Sequence, residues 1–201
     1  MYKLPMKTKF VQEYFSNINT LTSKIDFNKI NKIIDDLKKL KKRKGRLFIL
    51  GIGGSASNAS HAVNDFRKLC EIETYAPTDN VGELTARTND EGFETIFSNW
   101  LKVSRLSKND AIFIFSVGGG NVKKNVSINL INAIKLAKKL KADIFSIVGK
   151  KDGYAYKQSN VSVCVPFVRK DLITPYSEAF QAVIWHCLVS DPRLKKNKTK
   201  W

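Results

Sequence analysis

Apolar residues along this chain fall into two rhythms. From Phe10 to Leu40 they recur at helical spacing, and Ile30, Ile33, Ile34, Leu37 and Leu40 keep to one helix face. A basic turn, Lys41–Gly45, ends that stretch. Arg46-Leu-Phe-Ile-Leu50 is then a short continuous apolar run, which predicts a strand buried on both faces. The loop Gly51-Ile-Gly-Gly-Ser55 follows and leads into a helix through about Leu69. The same grammar returns downstream: strand Ala111–Phe115, loop Ser116-Val-Gly-Gly-Gly120, and a helix from about Lys123 to Lys139. In that helix Leu130, Ile131, Ile134 and Ala137 are the apolar positions. A third strand, Asp143–Val148, leads to Gly149, and a fourth, Val161–Val165, precedes a final helix over about Pro175–Val189. Strands alternating with helices predict an α/β fold, a parallel sheet with helices on both faces. Right-handed crossovers bring both Gly-rich loops to the carboxyl edge of that sheet, where such folds bind ligands.

No repeat or low-complexity linker divides the 201 residues, which suit one domain. The expected layout is N-terminal helices over about 8–44, a core over about 46–190 and a basic tail over 191–201. No apolar run approaches the ~20 residues that span a bilayer, and Met1–Val11 lacks the apolar centre of a signal peptide. Three scattered cysteines, Cys70, Cys164 and Cys187, form an odd set, and two of them sit in apolar stretches that predict buried thiols. Together these features predict a cytoplasmic protein. The net charge of +17 admits a nucleic acid or another anionic partner, or simply a solvated lysine-rich surface. The dense runs Lys38–Lys44 and Lys195–Lys200 carry no interleaved aromatics of the kind that stack on bases, so the solvated surface is the better reading. The tail Lys195–Trp201 is expected to be disordered or loosely docked.

Candidate chemistry starts from the two histidines. His61 and Asp65 are spaced i, i+4, and Glu178 and His186 are spaced i, i+8, so each pair shares roughly one helix face. Two imidazoles and two carboxylates suit a borderline metal such as zinc, and equally suit acid/base work. Singly, His61 reads as a partly buried helix histidine and Asp65 as a solvated carboxylate. The final helix is strongly apolar after Gln181, so Glu178 and His186 there need partners. Gln181 is either a polar core residue or a support for the site. The loops add an anion-binding element. Gly51-x-Gly-Gly-Ser55 has neither dinucleotide-binding spacing nor a P-loop lysine, so no nucleotide cofactor is expected. Glycine still allows a backbone to approach a ligand closely, and free N–H groups at a helix start favour phosphate. Ser116-Val-Gly-Gly-Gly-Asn121 repeats the arrangement, and two matched loops favour a phosphorylated ligand over two plain turns. Asn89-Asp90 before Gly92 reads as a loop or cap ahead of a helix Glu94–Leu101.

In order, these motifs are Gly51-x-Gly-Gly-Ser55 with His61-x-x-x-Asp65, Asn89-Asp90 before Gly-Phe, Ser116-x-Gly-Gly-Gly-Asn121, and Glu178 with His186. Over roughly Asn28–Val189 this series resembles the sugar isomerase (SIS) family, and within it the phosphoheptose isomerases, which act on sedoheptulose 7-phosphate. The resemblance implies a three-layer sandwich with a five-stranded parallel sheet, flavodoxin-like in outline. It also implies a homotetramer with active sites shared between subunits. Sugar phosphate would be held by Gly53, Gly54, Ser55, Asn89, Asp90, Ser116, Gly118, Gly119, Gly120, Asn121 and Glu178. Zinc, one per subunit, would be held by His61, Asp65, Glu178 and His186. Asp65 and His186 would be catalytic.

Three positions depart from the family pattern. Asp65 stands where Glu is usual, Glu178 where the heptose enzymes usually have Gln, and Val117–Gly120 where a Ser/Thr-rich loop is usual. The expected activity is an aldose–ketose isomerisation of sedoheptulose 7-phosphate through an enediolate, supplying heptose for lipopolysaccharide or capsule. Isomerisation of another sugar phosphate, or a non-catalytic sugar-phosphate-binding or replication-control protein, are the alternatives.

Overall fold

The computed structural model describes residues 6–199. Five parallel strands lie in the order β2-β1-β3-β4-β5: β1 Leu47–Leu50, β2 Thr74–Tyr75, β3 Ala111–Ser116, β4 Asp143–Val148 and β5 Val161–Cys164. Helices α2 Phe27–Lys42, α3 Gly54–Cys70 and α8 Ile173–Ser190 contribute to one layer. Helices α5 Ile96–Val103, α6 Ile128–Leu140 and α7 Tyr154–Gln158 contribute to the other. Two further helices, α1 Met6–Ser23 and α4 Val81–Glu91, flank these layers.

Because side chains alternate across a strand, each strand feeds two cores. Leu47, Ile49, Phe113, Phe115, Phe145 and Ile147 pack into the first. Phe48, Leu50, Ile112, Ile114, Ile144 and Val148 pack into the second. Each such side chain contributes about 1.5–3 kcal/mol by leaving water. The continuous apolar runs are therefore strands covered on both faces, as their composition requires.

Four differences from the sequence pattern have local causes. The helical stretch Phe10–Leu40 is two helices, parted where the Asp26 carboxylate accepts from the N–H groups of Asn28 (3.1 Å) and Lys29 (3.3 Å) and starts α2. The helix expected from Lys123 begins only at Ile128. Before it, Asn121 and Val126 pair as a small antiparallel bridge, and Asn125 and Ser127 both have φ of 52°, which no helix tolerates. Asn89 and Asp90 lie in the last turn of α4 rather than in a loop, and Gly92 at φ 85° ends that helix. Helix α8 begins two residues before Pro175, whose missing N–H has no partner in a first helical turn.

The basic tail is docked as far as Asn197. Leu194 is buried, and the N–H groups of Lys196 and Asn197 donate to the Leu69 carbonyl at 2.8 and 3.1 Å. Lys200 and Trp201 lie outside the described residues, as do Met1–Pro5 of the segment read for a signal peptide. Cys70 is buried and its thiol is pushed up to about 11 by burial, whereas Cys187 is exposed on the outer face of α8, contrary to the buried thiol its apolar neighbours suggested. No helix among the described residues is long and apolar enough to cross a membrane.

Candidate active site

The sheet order reverses between β1 and β3, so the loops after these strands flank the switch point where doubly wound folds bind ligands. The β1 loop turns through Gly53 at φ 64°, and the space where a Cβ would stand is open. Helix α3 begins there without a side-chain cap, leaving its first N–H groups available to an anion. In the β3 loop the N–H of Gly119 donates to Ser116 Oγ at 3.0 Å, and the Cβ position of Gly118 faces open space. The N–H groups of Tyr154 and Ala155 donate to Gly120 and Gly119 at 2.9 and 2.8 Å and pin this loop from behind. Asn121 sits at the start of the small bridge, with Oδ1 accepting from the Lys124 N–H at 3.0 Å.

A cavity of about 580 Å³ opens between Ile52, Phe93, Glu94 and Ser127–Asn129. Its wall includes Asn129, whose side chain is buried and whose Nδ2 has no hydrogen-bond partner among the described residues. A buried donor without an acceptor is costly and therefore calls for an oxygen from elsewhere.

Helices α3 and α8 pack side by side and bring both histidines to one carboxylate. His61 Nε2 lies 3.6 Å from Asp65 Oδ2, and His186 Nε2 lies 3.4 Å from the same atom. The imidazole centroids are 5.3 Å apart. Asp65 is buried, while both histidines are about half exposed. Two neighbours fix the carboxylate: Trp185 Nε1 donates to Oδ2 at 3.1 Å and Asn64 Nδ2 donates to Oδ1 at 3.1 Å. Trp185 is itself held by stacking on Phe115 of β3, at 5.9 Å and 15°. The end of the central strand thus positions an indole, and the indole positions the carboxylate. Periodicity places Trp185 merely on an apolar face; the signal was its N–H, which a buried tryptophan must satisfy.

Glu178 is not part of this cluster. Its carboxylate lies over the start of α3, where a Cβ on Gly54 would come within 2.6 Å of Oε2. One turn on, Gln181 is fully buried and donates to Ser55 Oγ at 3.0 Å. Asn58 Nδ2 ties the two together, donating to Gln181 Oε1 and the Glu178 carbonyl at 2.9 Å each. Gln181 is therefore a polar core residue that sets the first loop serine against α8. Asn89 and Asp90 are exposed and bond to each other at 2.8 Å.

His61, Asp65 and His186 offer one ligand atom each, all within 4.8 Å of one another. Donors around a tetrahedral zinc at its usual bond lengths stand about 3.3 Å apart, close to the 3.4 and 3.6 Å between Asp65 and the two imidazoles. Two imidazoles and a carboxylate with an open fourth position are the donor set of a catalytic zinc site, so these residues fit the ion.

Three comparisons bear on this arrangement. A phosphoheptose isomerase from Neisseria gonorrhoeae superposes with a TM-score of 0.79 at 21% identity, covering 92% of this chain and 98% of that one. One from Francisella tularensis does so at 0.75 and 19%, covering 92% and 97%. Likeness at these identities establishes a common fold. In sequence, the lincomycin biosynthesis protein LmbN of Streptomyces lincolnensis is 30% identical over 140 residues, 65% of this chain and 49% of that protein. A phosphoheptose isomerase of Buchnera aphidicola subsp. Schizaphis graminum is 33% identical over 91 residues, 45% of this chain and 43% of that protein. The chain spans about half the length of the curated relatives it matches. The SIS domain pattern itself matches residues 13–149, from α1 through the end of β4 and across both glycine loops and the His61–Asp65 helix. On that match, and on the five-stranded parallel sheet that carries it, this chain belongs to the SIS domain family.

Proposed function

We propose that the chain is an aldose–ketose isomerase of a phosphorylated sugar, converting sedoheptulose 7-phosphate into D-glycero-D-manno-heptose 7-phosphate for lipopolysaccharide or capsule. The observation that carries this reading is the convergence of His61, Asp65 and His186 where α8 packs on α3, the helix that starts from one of two open glycine loops at the sheet's switch point. The 33% identity to a phosphoheptose isomerase supports the choice of sugar.

The reaction moves one proton between adjacent carbons and one between adjacent oxygens. Asp65 is the base of the cluster. It takes the proton from the carbon next to the carbonyl, and His186 acts on the opposite side as the partner acid or base. Removal of that proton gives an enediolate, and its return to the neighbouring carbon gives the product. A zinc ion bound by His61, Asp65 and His186 would supply Lewis-acid polarisation of the sugar oxygens. The far phosphate is anchored by backbone N–H groups of Gly53, Gly54 and Ser55 and by the Ser116–Asn121 loop, which orients the reacting carbons. Asn129 Nδ2 gives the sugar a donor that no acceptor among the described residues uses. Asn89 and Asp90, exposed in the last turn of α4, are assigned as further polar contacts to the sugar. Glu178 stands against Gly54, where it limits how deeply an anion can sit. Exposed Phe10, Val11 and Phe15 on α1, with Phe27 and Val183, give assembly an apolar surface in keeping with a homotetramer, and the free cysteines suit the cytoplasm.

The test is turnover of sedoheptulose 7-phosphate by the purified chain, with its metal content measured on the same sample. Turnover supports the reading. Turnover of a different ketose phosphate instead would retain the isomerase and reject the heptose, an outcome to which the Glu178 carboxylate over the phosphate loop gives physical room. Sugar-phosphate binding with no turnover of any substrate would reject the enzyme in favour of a sensor.

A further inference from the structure

A second cavity lies away from the switch point. It measures about 850 Å³ and opens at the carboxyl edge beyond β4 and β5, between the start of α2, the turn Gly149–Asp152 and the segment Cys164–Lys170. It shares no lining residue with the smaller cavity at Ile52 or with the histidine cluster. Five lysines line it: Lys24, Lys29, Lys150, Lys151 and Lys170. Only two carboxylates face them, Asp26 and Asp152, and Asp26 is committed to the N–H groups that start α2. The site therefore carries a surplus of positive charge. Lys29 is placed rather than free: Nζ donates to the Tyr156 hydroxyl at 3.2 Å and lies 4.9 Å from that ring's centroid. Lys29 and Lys151 both bring positive charge to bear on the half-buried Cys164 thiol at the floor, so their fields converge inside the cavity. Val165, Pro166 and Ile173 supply apolar floor, and Phe167 stands half exposed in the wall, an aromatic face beside the ammonium groups.

We propose that this cavity is a second ligand site, taking a nucleoside phosphate: phosphate against Lys29 and Lys151, and base on Phe167. Its volume lies within the range of small-molecule sites. A cluster of ammonium groups recognises a phosphate by charge, and an exposed aromatic ring recognises a planar base by stacking. A plain sugar phosphate would use only the lysines. The ligand is accessory, separate from the isomerase chemistry, and placed one strand away from the loop that binds the substrate phosphate, since Gly153 packs against Gly118 and Gly119.

The experiment is calorimetric titration of the full chain with ADP, in parallel with ribose 5-phosphate. The expected result is saturable ADP binding that weakens as salt rises. The double variant Lys29→Ala/Lys151→Ala should weaken it by about tenfold or more, as loss of two charged contacts to a phosphate implies. Phe167→Ala should weaken ADP by about fivefold or more while leaving ribose 5-phosphate unchanged, the signature of a lost stacking partner. Lys150→Ala/Lys151→Ala, confined to an exposed turn, repeats the charge test without touching α2. Ribose 5-phosphate in excess should compete with ADP at the lysines but bind more weakly than ADP, because it lacks a base to stack. Absence of saturable ADP binding, binding undiminished in both lysine pairs, or ribose 5-phosphate binding as tightly as ADP overturns the proposal.

Discussion

Two aspartates at opposite ends of the central strand have been treated by the fold in opposite ways. Asp110 immediately precedes β3, is buried, and is saturated. It accepts from the Arg46 N–H, Nε and Nη2 at 3.0, 3.1 and 2.9 Å, and from the Ser107 N–H and hydroxyl at 2.9 and 3.0 Å. Burial pushes its carboxyl up, but these hydrogen bonds outweigh it and hold the group below the ordinary carboxylate range. Asp65 sits near the other end of the same strand, reached through Phe115 and Trp185, and has just two firm donors. Its remaining neighbours are imidazoles at 3.4 and 3.6 Å, and among the described residues no guanidinium pairs with it. A carboxylate whose lone pairs are all taken stabilises a fold; one held by two bonds and faced by exposed imidazoles can hold a metal or move a proton.

Substitution separates these roles. The largest expected effect is on turnover at the open end: Asp65→Asn should lower kcat by about 10²–10⁴-fold, the range for losing a general acid–base group. The fold should persist, because Asn can still accept from Trp185. Full activity in Asp65→Asn, measured under saturating substrate, would remove Asp65 from the mechanism. Asp110→Ala should reverse the pattern. Leaving Arg46 without its buried partner costs about 3 kcal/mol, and at this chain length that lowers the melting temperature by about 6–12 °C. The folded fraction should keep its kcat.

The pH response sharpens the contrast. Because the folded-state pKa of Asp110 is depressed, its contribution is fully present above its unfolded value near 3.9 and is lost as pH falls below it. Urea midpoints taken from pH 7 to pH 3 should drop in the wild type, and Asp110→Asn should show a shallower decline over the acid part of that range. Equal slopes would mean that other carboxylates govern acid unfolding.

Much of the layered fold could be read from the chain, and the parts that could not have physical reasons. Strand β4 was legible to its last residue, Asp143–Val148, because a strand covered on both faces has no polar interruption. Type and spacing marked His61, Asp65 and His186 as candidates, but their meeting depended on the packing of α3 against α8, which spacing within one helix does not fix. The position of Glu178 was not, because an eight-residue separation does not fix which turn of a neighbouring helix a side chain meets. The late start of α6 was hidden because Lys123, Lys124 and Asn125 suit a helix by composition, while the left-handed backbone at Asn125 and Ser127 is set by tertiary context. Strand β2 is two residues long, too short for any periodicity to show.

Trp185 is the link between the two ends, and Trp185→Phe tests it with little loss of packing. Removing the indole N–H, one of the two donors that fix Asp65, should cost about 1 kcal/mol of stability. Its effect on kcat should be about tenfold, smaller than that of Asp65→Asn, because the carboxylate remains but is oriented by Asn64 alone. A change in KM with kcat unaltered would instead assign Trp185 to substrate binding.

The smallest effect on stability belongs to Gly118 of the β3 loop, and its contrast with Gly120 distinguishes a glycine held by the fold from one open to a ligand. Gly120 has φ of 81°, and a Cβ there would lie 2.9 Å from Ile131 Cγ1, so Gly120→Ala should cost about 1–2 kcal/mol through strain alone. Two residues earlier, Gly118 has no such constraint, and nothing stands within 4 Å of its Cβ position. Packing therefore gives no reason for glycine at 118, and Gly118→Ala should change stability by no more than about 0.5 kcal/mol. If that open space receives the substrate phosphate, the added methyl group keeps the phosphate off the backbone N–H groups, and KM should rise several-fold while the melting temperature holds. A Gly118→Ala chain with unchanged KM would mean that the phosphate sits elsewhere, leaving the α3 start at Gly53–Ser55 as its only backbone anchor.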